Sequence, residues 1–134
     1  MRVFLDTNVL VSAFATRGLC ADLLELVIAE HDWIIGTAVL RELEKALREK
    51  IKAPAARVLE ISDFVAGEVS VLVKHALPTD AKIDADDAVV LGQALEGRAE
   101  LFVTGDAALL KLGEIGGLQI VSPRQFWEAL QKRR

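Results

Sequence analysis

The sequence predicts one α/β domain over residues 1–134, a three-layer α/β/α fold around a central, mainly parallel sheet. Short apolar runs of strand length alternate along the chain with longer segments of helical periodicity. This alternation favours parallel strands whose connecting helices cover both faces of the sheet. The length fits one ordinary domain, and no internal repeat, low-complexity tract or linker divides the chain.

The first half of the chain carries two predicted strands and four predicted helices. The strands are the apolar runs at 3–5 and 33–36. The helices cover about 8–16, 20–30, 37–50 and 54–66. A break near Arg17-Gly18 separates the first two helices, Thr37 is expected to cap the third, and Pro54 fits the first turn of the fourth. Residues 69–74 fit either an extended edge segment or the end of the fourth helix.

The second half continues the alternation and ends in a helix. The predicted elements are a helix from Asp84 to about Gly97, then a strand at 101–104, a short helix at 106–112 and a strand at 118–121. Ser122-Pro123-Arg124-Gln125 predicts the start of the last helix, with Ser at the cap, Pro in the first turn and Gln three positions after the Ser. This helix is expected to bury three apolar side chains, Phe126, Trp127 and Leu130.

Composition excludes several classes of protein. The single cysteine, Cys20, excludes an internal disulfide and a cysteine-rich zinc site. No apolar run approaches the roughly 18–20 residues that span a membrane, and the N-terminus lacks the pattern of a secretory signal. We therefore expect a cytoplasmic protein with no membrane partner.

The charge distribution leaves a nucleic-acid partner open. The net charge of −4 argues against phosphate binding, which favours an excess of Lys and Arg. The basic residues are nevertheless clustered: Arg41, Lys45, Arg48, Lys50, Lys52 and Arg57 lie close together, and Lys132, Arg133 and Arg134 end the chain. An acidic site with a basic rim would give the same net charge.

Two acids, Asp6 and Asp106, stand just beyond predicted strands, in VFLDTNVLVSA and LFVTGDAALL. In open α/β sheets, functional sites form beyond the carboxyl ends of the strands. An Asp between a strand and a helix is also a common helix cap. Each of the two acids, taken alone, fits that structural role as well.

Two further acids lie on or beside the apolar stripes of predicted helices. Asp87 shares a face with the apolar residues three, four and seven positions later, where a carboxylate is costly unless it is paired or bound to a metal. Glu42 falls beside the apolar stripe of its helix and also fits a boundary residue that reaches solvent or pairs with Lys45. Asp84 fits the cap of the helix of Asp87, and Asp86 projects to solvent or supports the site.

Converging carboxylates need a cation. Two carboxylates 4 Å apart repel each other by about 4 kcal/mol at an effective dielectric constant near 20. Mg²⁺ and Mn²⁺ prefer oxygen ligands, and His31 and His75 stand alone in the sequence rather than in a cluster that would select a softer metal.

Four segments in this order resemble the PIN-domain nucleases: FLDTNVLVSA at 4–13, TAVLRELEKAL at 37–47, DADDAVVLGQAL at 84–95 and LFVTGDAALL at 101–110. The closing LQIVSPRQFWEAL also resembles the last strand and helix of that family. The resemblance covers nearly the whole chain. Within the family, the sequence is most similar to bacterial and archaeal toxins related to virulence-associated protein C.

The resemblance implies a PIN-like fold and an endoribonuclease that depends on Mg²⁺ or Mn²⁺. The implied metal-binding and catalytic acids are Asp6, Glu42, Asp87 and Asp106. Asp6 and Asp87 are the strongest ligand candidates, Asp106 would bind directly or through water, and Glu42 would bind metal or position the attacking water. The supporting residues would be Thr7, Asn8, Thr104, Asp84 and Asp86, with Thr7 and Asn8 orienting Asp6 and capping the next helix.

The resemblance also implies partners: an RNA substrate, a small antitoxin protein and a second copy of the chain in a homodimer. Arg41, Arg48 and the terminal Lys-Arg-Arg are candidates to hold flanking phosphates. One departure from related sequences is Ala85, where Pro often stands; it alters the start of a helix and leaves the acids in place.

Other functions remain open on the same residues. A non-toxin RNA-processing nuclease would use the same four acids. A phosphatase of the haloacid dehalogenase type needs a second Asp two positions after the first, where this chain has Asn8. A response-regulator receiver needs paired acids after the first strand, which the sequence lacks. A binding protein without catalysis is the non-enzymatic alternative.

Overall fold

The computed structural model describes residues 1–133, and Arg134, one of the basic residues predicted to contact phosphate, lies outside the described residues. The elements within that range are, in order, β1 (Arg2–Leu5), α1 (Thr7–Ala15), α2 (Leu19–Glu30), β2 (Asp32–Gly36), α3 (Thr37–Glu49), α4 (Ala55–Glu68), β3 (Val71–Val73), α5 (Ala85–Glu96), β4 (Leu101–Val103), α6 (Ala107–Leu112), β5 (Glu114–Ile115), β6 (Leu118–Val121) and α7 (Pro123–Lys132).

The predicted α/β fold with a mainly parallel sheet is confirmed. The strand order is β3-β2-β1-β4-β6-β5, and every pair is parallel except β5 with β6. Because β1 lies between β2 and β4, the carboxyl end of β1 is flanked by the carboxyl ends of two parallel neighbours. That edge of the sheet is where side chains from several strands can meet.

The central strands β1, β2 and β4 are mostly buried, as their continuous apolar runs predict. The central pair is fixed by stacking of Phe4 in β1 on Phe102 in β4, whose ring centres lie 5.3 Å apart in directly opposed register. Trp33 in β2 is also fully buried. Among residues 1–133, no helix has the length and apolarity that crossing a lipid bilayer requires.

Residues 69–74 contain an extended segment and are not the end of the fourth helix, which stops at Glu68. Val71–Val73 form β3, which pairs with β2 in the register Gly36 opposite Val73. A three-residue strand has too little sequence pattern to be recognised alone, because its stability comes from a pairing partner that lies far away in the sequence.

A short strand, β5, was not predicted. It forms a hairpin with β6 through Gly116 and Gly117, whose φ angles are 56° and 87°. Two successive residues with positive φ are the requirement of the tight turns that join antiparallel strands, and glycine meets it without strain. The Gly-Gly pair between EI and LQIV was therefore the available signal.

Two local predictions were wrong. Thr37 does not cap α3, because it is already the first helical residue and the capping position is Gly36, which has no side chain to accept a hydrogen bond. Trp127 is only half-buried, whereas Phe126 and Leu130 are buried as predicted. The capping box of α7 is present, with Ser122 and Gln125 bonded reciprocally.

Candidate active site

Four carboxylates line one cavity at the carboxyl edge of the sheet. The cavity has a volume of about 550 Å³ and its lining includes Asp6, Glu42, Asp87 and Asp106. These side chains come from the end of β1, from α3, from the first turn of α5 and from the residue before α6. The structure therefore brings together four residues that are up to 100 positions apart in the sequence. We call this the acidic cavity.

Asp6 is fixed at the centre of the sheet edge. Its backbone N–H donates to the carbonyl of Val103 in β4 at 2.9 Å, which extends the pairing of the two strands by one residue. The side chain is 7% exposed and accepts hydrogen bonds from the N–H of Thr7 at 2.8 Å and the hydroxyl of Thr104 at 2.8 Å. Asp6 is thus the cap of α1 and also a lining residue of the acidic cavity.

Asn8 and Thr104 both bond to the Asp6 carboxylate, and Asn8 does not cap α1, which the sequence analysis expected of it, because Asp6 holds that position. The Asn8 amide donates to Asp6 Oδ2 at 3.1 Å and accepts from the N–H of Gly105 at 2.8 Å. Thr104 is fully buried, and its hydroxyl also accepts from the N–H of Asp106 at 3.0 Å. This network joins the ends of β1 and β4, so that Asp6 cannot rotate without breaking contacts on both strands.

Thr7 has a different role from the predicted one. Its hydroxyl donates to Glu42 Oε2 at 2.7 Å, and it does not cap α1, since Asp6 occupies that position. The bond connects the first turn of α1 with the second turn of α3. Glu42 is therefore aimed into the acidic cavity rather than paired with Lys45 or released to solvent.

Asp106 caps α6 and also lines the acidic cavity. One oxygen, Oδ1, caps α6 by accepting from the N–H groups of Ala108 at 2.8 Å and Leu109 at 3.3 Å. The carboxylate also lines the acidic cavity, where its second oxygen is not used by the cap.

Asp87 carries the strongest electrostatic signature of the four acids. Its pKa is raised to about 6, first by burial and then by the negative charges of Asp106, Asp6, Asp84 and Glu42. Its carboxylate makes no hydrogen bond or ion pair with any residue in the range 1–133. A half-buried acid that faces like charges without a partner is the arrangement that a cation relieves.

The pKa of Asp6 is also raised. Burial is the main cause and the charge of Glu42 adds to it, while the hydrogen bonds from Thr104, Thr7 and Asn8 act in the opposite direction. Both central acids are therefore held at a cost to the ionised form.

Asp84 and Asp86 lie outside the lining of the acidic cavity. Asp84 caps α5 as predicted by accepting from the N–H of Asp86 at 2.9 Å, and both side chains are exposed. Asp84 still acts on the site through its charge, which contributes to the raised pKa of Asp87.

Gln93 in α5 was not singled out in the sequence analysis, although it is only 4% exposed. Its Oε1 accepts from the N–H of Ala38 at 3.1 Å, and its Nε2 donates to the hydroxyl of Thr37 at 3.0 Å. Gln93 thereby takes over the capping of α3 that Gly36 cannot provide. A polar residue within the apolar stretch of DADDAVVLGQAL was the available signal.

The donor set of the acidic cavity fits a hard divalent cation. Carboxylate oxygens are the ligands of Mg²⁺ and Mn²⁺. As the side chains stand, no three His, Cys, Asp or Glu residues within 1–133 are arranged to hold a single ion. Mg²⁺ usually keeps several waters and takes one or two carboxylates directly. The oxygen-rich lining of the acidic cavity therefore fits a cation that keeps water molecules among its ligands.

The raised pKa of Asp87 predicts how the stability of the metal-free protein depends on pH. The folded state keeps the proton up to about pH 6, whereas the unfolded chain releases it near 3.8. Stability from this group is therefore lost as the pH rises through that window. We expect Asp87→Asn to raise Tm by a few degrees relative to wild type at pH 7.5, with a smaller gain at pH 4.5.

Thermal unfolding in EDTA at the two pH values measures this effect. An equal Tm difference between wild type and Asp87→Asn at both pH values would show that Asp87 titrates normally.

Comparison with known proteins agrees with this geometry. The PIN domain family profile matches residues 2–108. Two similar solved structures are VapBC2 from Rickettsia felis bound to a DNA fragment from their promoter, with TM-score 0.64 and 17% identity over 91% of this chain and 98% of that chain, and VapBC-1 from nontypeable Haemophilus influenzae, with TM-score 0.63 and 16% identity over 92% and 99%. The comparison with curated proteins returned no match.

These likenesses show that the chain shares its fold with proteins of the two VapBC structures. With a family profile that covers most of its residues, the chain belongs to the PIN-domain family.

Proposed function

We propose that this protein is a Mg²⁺- or Mn²⁺-dependent endoribonuclease that hydrolyses RNA phosphodiester bonds, and that it is the toxin of a toxin–antitoxin pair. The observation that carries the nuclease proposal is the meeting of Asp6, Glu42, Asp87 and Asp106 in one cavity at the carboxyl edge of the sheet. Membership of the PIN-domain family supports the same conclusion.

The roles of the four acids follow from their environments. Asp6 and Asp87 are the proposed direct ligands, because both have a raised pKa and a bound cation would stabilise their ionised forms. Asp106 contributes its free oxygen directly or through water. Glu42, which is held by Thr7 at 2.7 Å, orients the water that attacks the phosphorus.

When bound, a divalent cation supplies a water of lowered pKa and neutralises negative charge on the scissile phosphate. The protein supplies the orientation. Because Thr104 and Asn8 fix Asp6 and Thr7 fixes Glu42, the acids are held in position before substrate arrives. The cation also removes the repulsion that an acidic cavity would otherwise exert on a polyanion.

Cleavage assays on RNA and DNA test this proposal. We expect the purified chain to cut a pool of structured RNAs in Mn²⁺ or Mg²⁺, to stop in EDTA, and to resume when the metal is restored. A single-stranded DNA pool of matched length is expected to be cut more slowly. Metal-independent cutting, or no cutting of any RNA by a folded and metal-loaded chain, would contradict the proposed activity.

The toxin assignment rests on the resemblance of the sequence to toxins related to virulence-associated protein C and is supported by the likeness in fold to the two VapBC structures. The proposed partner is a small antitoxin that places a basic side chain in the acidic cavity, where Arg suits bidentate pairing with carboxylates. We expect expression of the chain alone to arrest growth. Cleavage of RNA without growth arrest would favour the non-toxin RNA-processing nuclease instead.

The proposed homodimer has a physical basis in the surface of the chain. Leu59 and Phe64 on α4 are 62% and 43% exposed, which is costly for large apolar side chains in water. Contact with a second copy of the chain would remove this surface from solvent.

A further inference from the structure

A second cavity lies beside the first turn of α3 and differs from the acidic cavity in charge. It has a volume of about 370 Å³, and its lining includes Arg41, Lys74 and His75 but no Asp or Glu among the described residues. We call it the cationic pocket. A cavity with only basic charge is unexpected in a chain whose net charge is −4.

The two permanent charges of the cationic pocket are available to a ligand. Arg41 donates only within its own helix, from Nε to the carbonyl of Thr37 at 3.4 Å and from Nη2 to its hydroxyl at 3.3 Å. Neither Arg41 nor Lys74 forms an ion pair with any residue in the range 1–133. The guanidinium group of Arg41 is held in place and the side chain of Lys74 is exposed, and donors without an acidic partner are suited to an external anion.

The floor of the cationic pocket is ordered by hydrogen bonds. The buried Gln93 side chain bonds to both Thr37 and Ala38, and the Thr37 hydroxyl donates to the carbonyl of Lys74 at 3.4 Å. These bonds tie the end of β3 to the start of α3. Gln93 satisfies the N–H of Ala38, and the positively charged donors of the cationic pocket are the side chains of Arg41 and Lys74.

The cationic pocket adjoins the acidic cavity on the same edge of the sheet. Lys74 follows β3, Thr37 follows β2 and Asp6 follows β1, and these three strands are neighbours in that order. Adjacent strands lie about 4.8 Å apart, so that two strand spacings, roughly 10 Å, separate the end of β3 from the end of β1.

The helices connect the two cavities as well. Arg41 and Glu42 are consecutive on α3, yet Arg41 lines the cationic pocket and Glu42 lines the acidic cavity. On α5, Gln93 and Asp87 are divided in the same way. The two cavities are therefore close enough for neighbouring phosphates of one RNA strand to reach both.

We propose that the cationic pocket binds a backbone phosphate of the RNA substrate, next to the scissile one, through Arg41 and Lys74. This inference rests on the proposed RNase function and adds a substrate-positioning site outside the four acids. The guanidinium group of Arg41 matches two oxygens of a phosphate, and the ammonium group of Lys74 adds a point charge. Contacts of this kind fix the register of the strand without reading its sequence.

The test removes the charge of single phosphates in the RNA and, separately, the charges of Arg41 and Lys74 in the protein, and compares the effects on binding. An RNA oligonucleotide that spans a mapped cleavage site is synthesised in versions that each carry one uncharged methylphosphonate linkage. Binding is measured for the full chain carrying Asp6→Asn, which prevents cleavage, and for the same chain with Arg41→Gln and Lys74→Gln added. Arg98→Gln serves as the control, because Arg98 is exposed and precedes β4, at the opposite edge of the sheet.

We expect one uncharged linkage, displaced from the scissile bond, to weaken binding to the parent chain, which carries Asp6→Asn alone, by about three- to tenfold. The same linkage should not change the affinity of the pocket variant, which also carries Arg41→Gln and Lys74→Gln. The plot of log affinity against log salt has a negative slope. Its magnitude should be smaller by about 0.7 in the pocket variant, the value for one phosphate contact on a single strand. The Arg98→Gln control should keep the parental profile, and thermal unfolding should show that all variants are folded.

Two results would overturn the assignment and are distinguishable from failure of the proposed function. If the parent and the pocket variant lose the same affinity at every linkage, or if Arg98→Gln weakens binding as much as the pocket substitutions, RNA binding stands but the cationic pocket does not contribute. If the wild-type chain neither cuts nor binds RNA in Mn²⁺, the proposed function fails, and the pocket assignment fails with it.

Discussion

Replacing Asp6 or Asp87 by Asn is expected to lower the rate of RNA cleavage by more than about a hundredfold. Loss of residues that merely support a metal ligand already costs about 10- to 100-fold in metal affinity or activity, so loss of a direct ligand should cost more. Single-turnover cleavage in saturating Mn²⁺ measures the rate. A matched control is Asp63→Asn, because Asp63 is an exposed acid of α4 outside the acidic cavity.

These variants should remain folded. In Asp6→Asn, the carbonyl oxygen of the new side chain can still accept from the N–H of Thr7. The substitution also removes a carboxyl group whose pKa is raised by burial. We therefore expect unfolding temperatures within a few degrees of wild type. Cleavage at the wild-type rate by folded Asp6→Asn or Asp87→Asn would remove these residues from the active site.

Gly36→Ala is expected to destabilise the protein by about 2–4 kcal/mol. A Cβ at Gly36 would overlap the side chain of Gln93, which cannot move without losing its bonds to Ala38 and Thr37. Overpacking of this kind costs roughly 1–3 kcal/mol, and a lost hydrogen bond adds about 1 kcal/mol. Urea unfolding at fixed pH measures the difference.

The chain offers a matched control and a compensating variant. Gly67 lies in α4 with no atom near its prospective Cβ, so Gly67→Ala should stabilise the protein slightly through helix propensity. Gly36→Ala should cost less in a Gln93→Ala background, where the overlapping side chain is absent. Equal costs of Gly36→Ala in the two backgrounds would show that Gln93 is not the cause.

The sequence predicted what depends on local pattern. The alternation of strands and helices gave the parallel sheet, and Ser122 with Gln125 gave the start of α7. Asp6 and Asp106 were placed at strand ends because the apolar runs before them are clear. For both residues the sequence could not decide between a helix cap and a site residue. The structure shows that each caps a helix and lines the acidic cavity, and their role in catalysis stays a prediction.

The features that escaped prediction depend on contacts between distant segments. Gln93 caps α3 across 55 positions of sequence, and Gly36 is required by that same contact rather than by its own φ angle. Thr7 reaches Glu42 across 35 positions, which no periodicity reveals. Arg41 was a candidate phosphate contact, but the cationic pocket was not predicted, since Arg41 and Lys74 come together only when β3 pairs with β2.

The central claim is that the acidic cavity binds a divalent cation through Asp6 and Asp87. Calorimetric titration of Mn²⁺ into the wild-type chain and into the Asp6→Asn/Asp87→Asn double variant tests it most directly, with Asp63→Asn as the control. We predict saturable binding to the wild type and the control, and no binding to the double variant. Equal binding by the double variant, or no saturable binding by the folded wild-type chain, would contradict the claim.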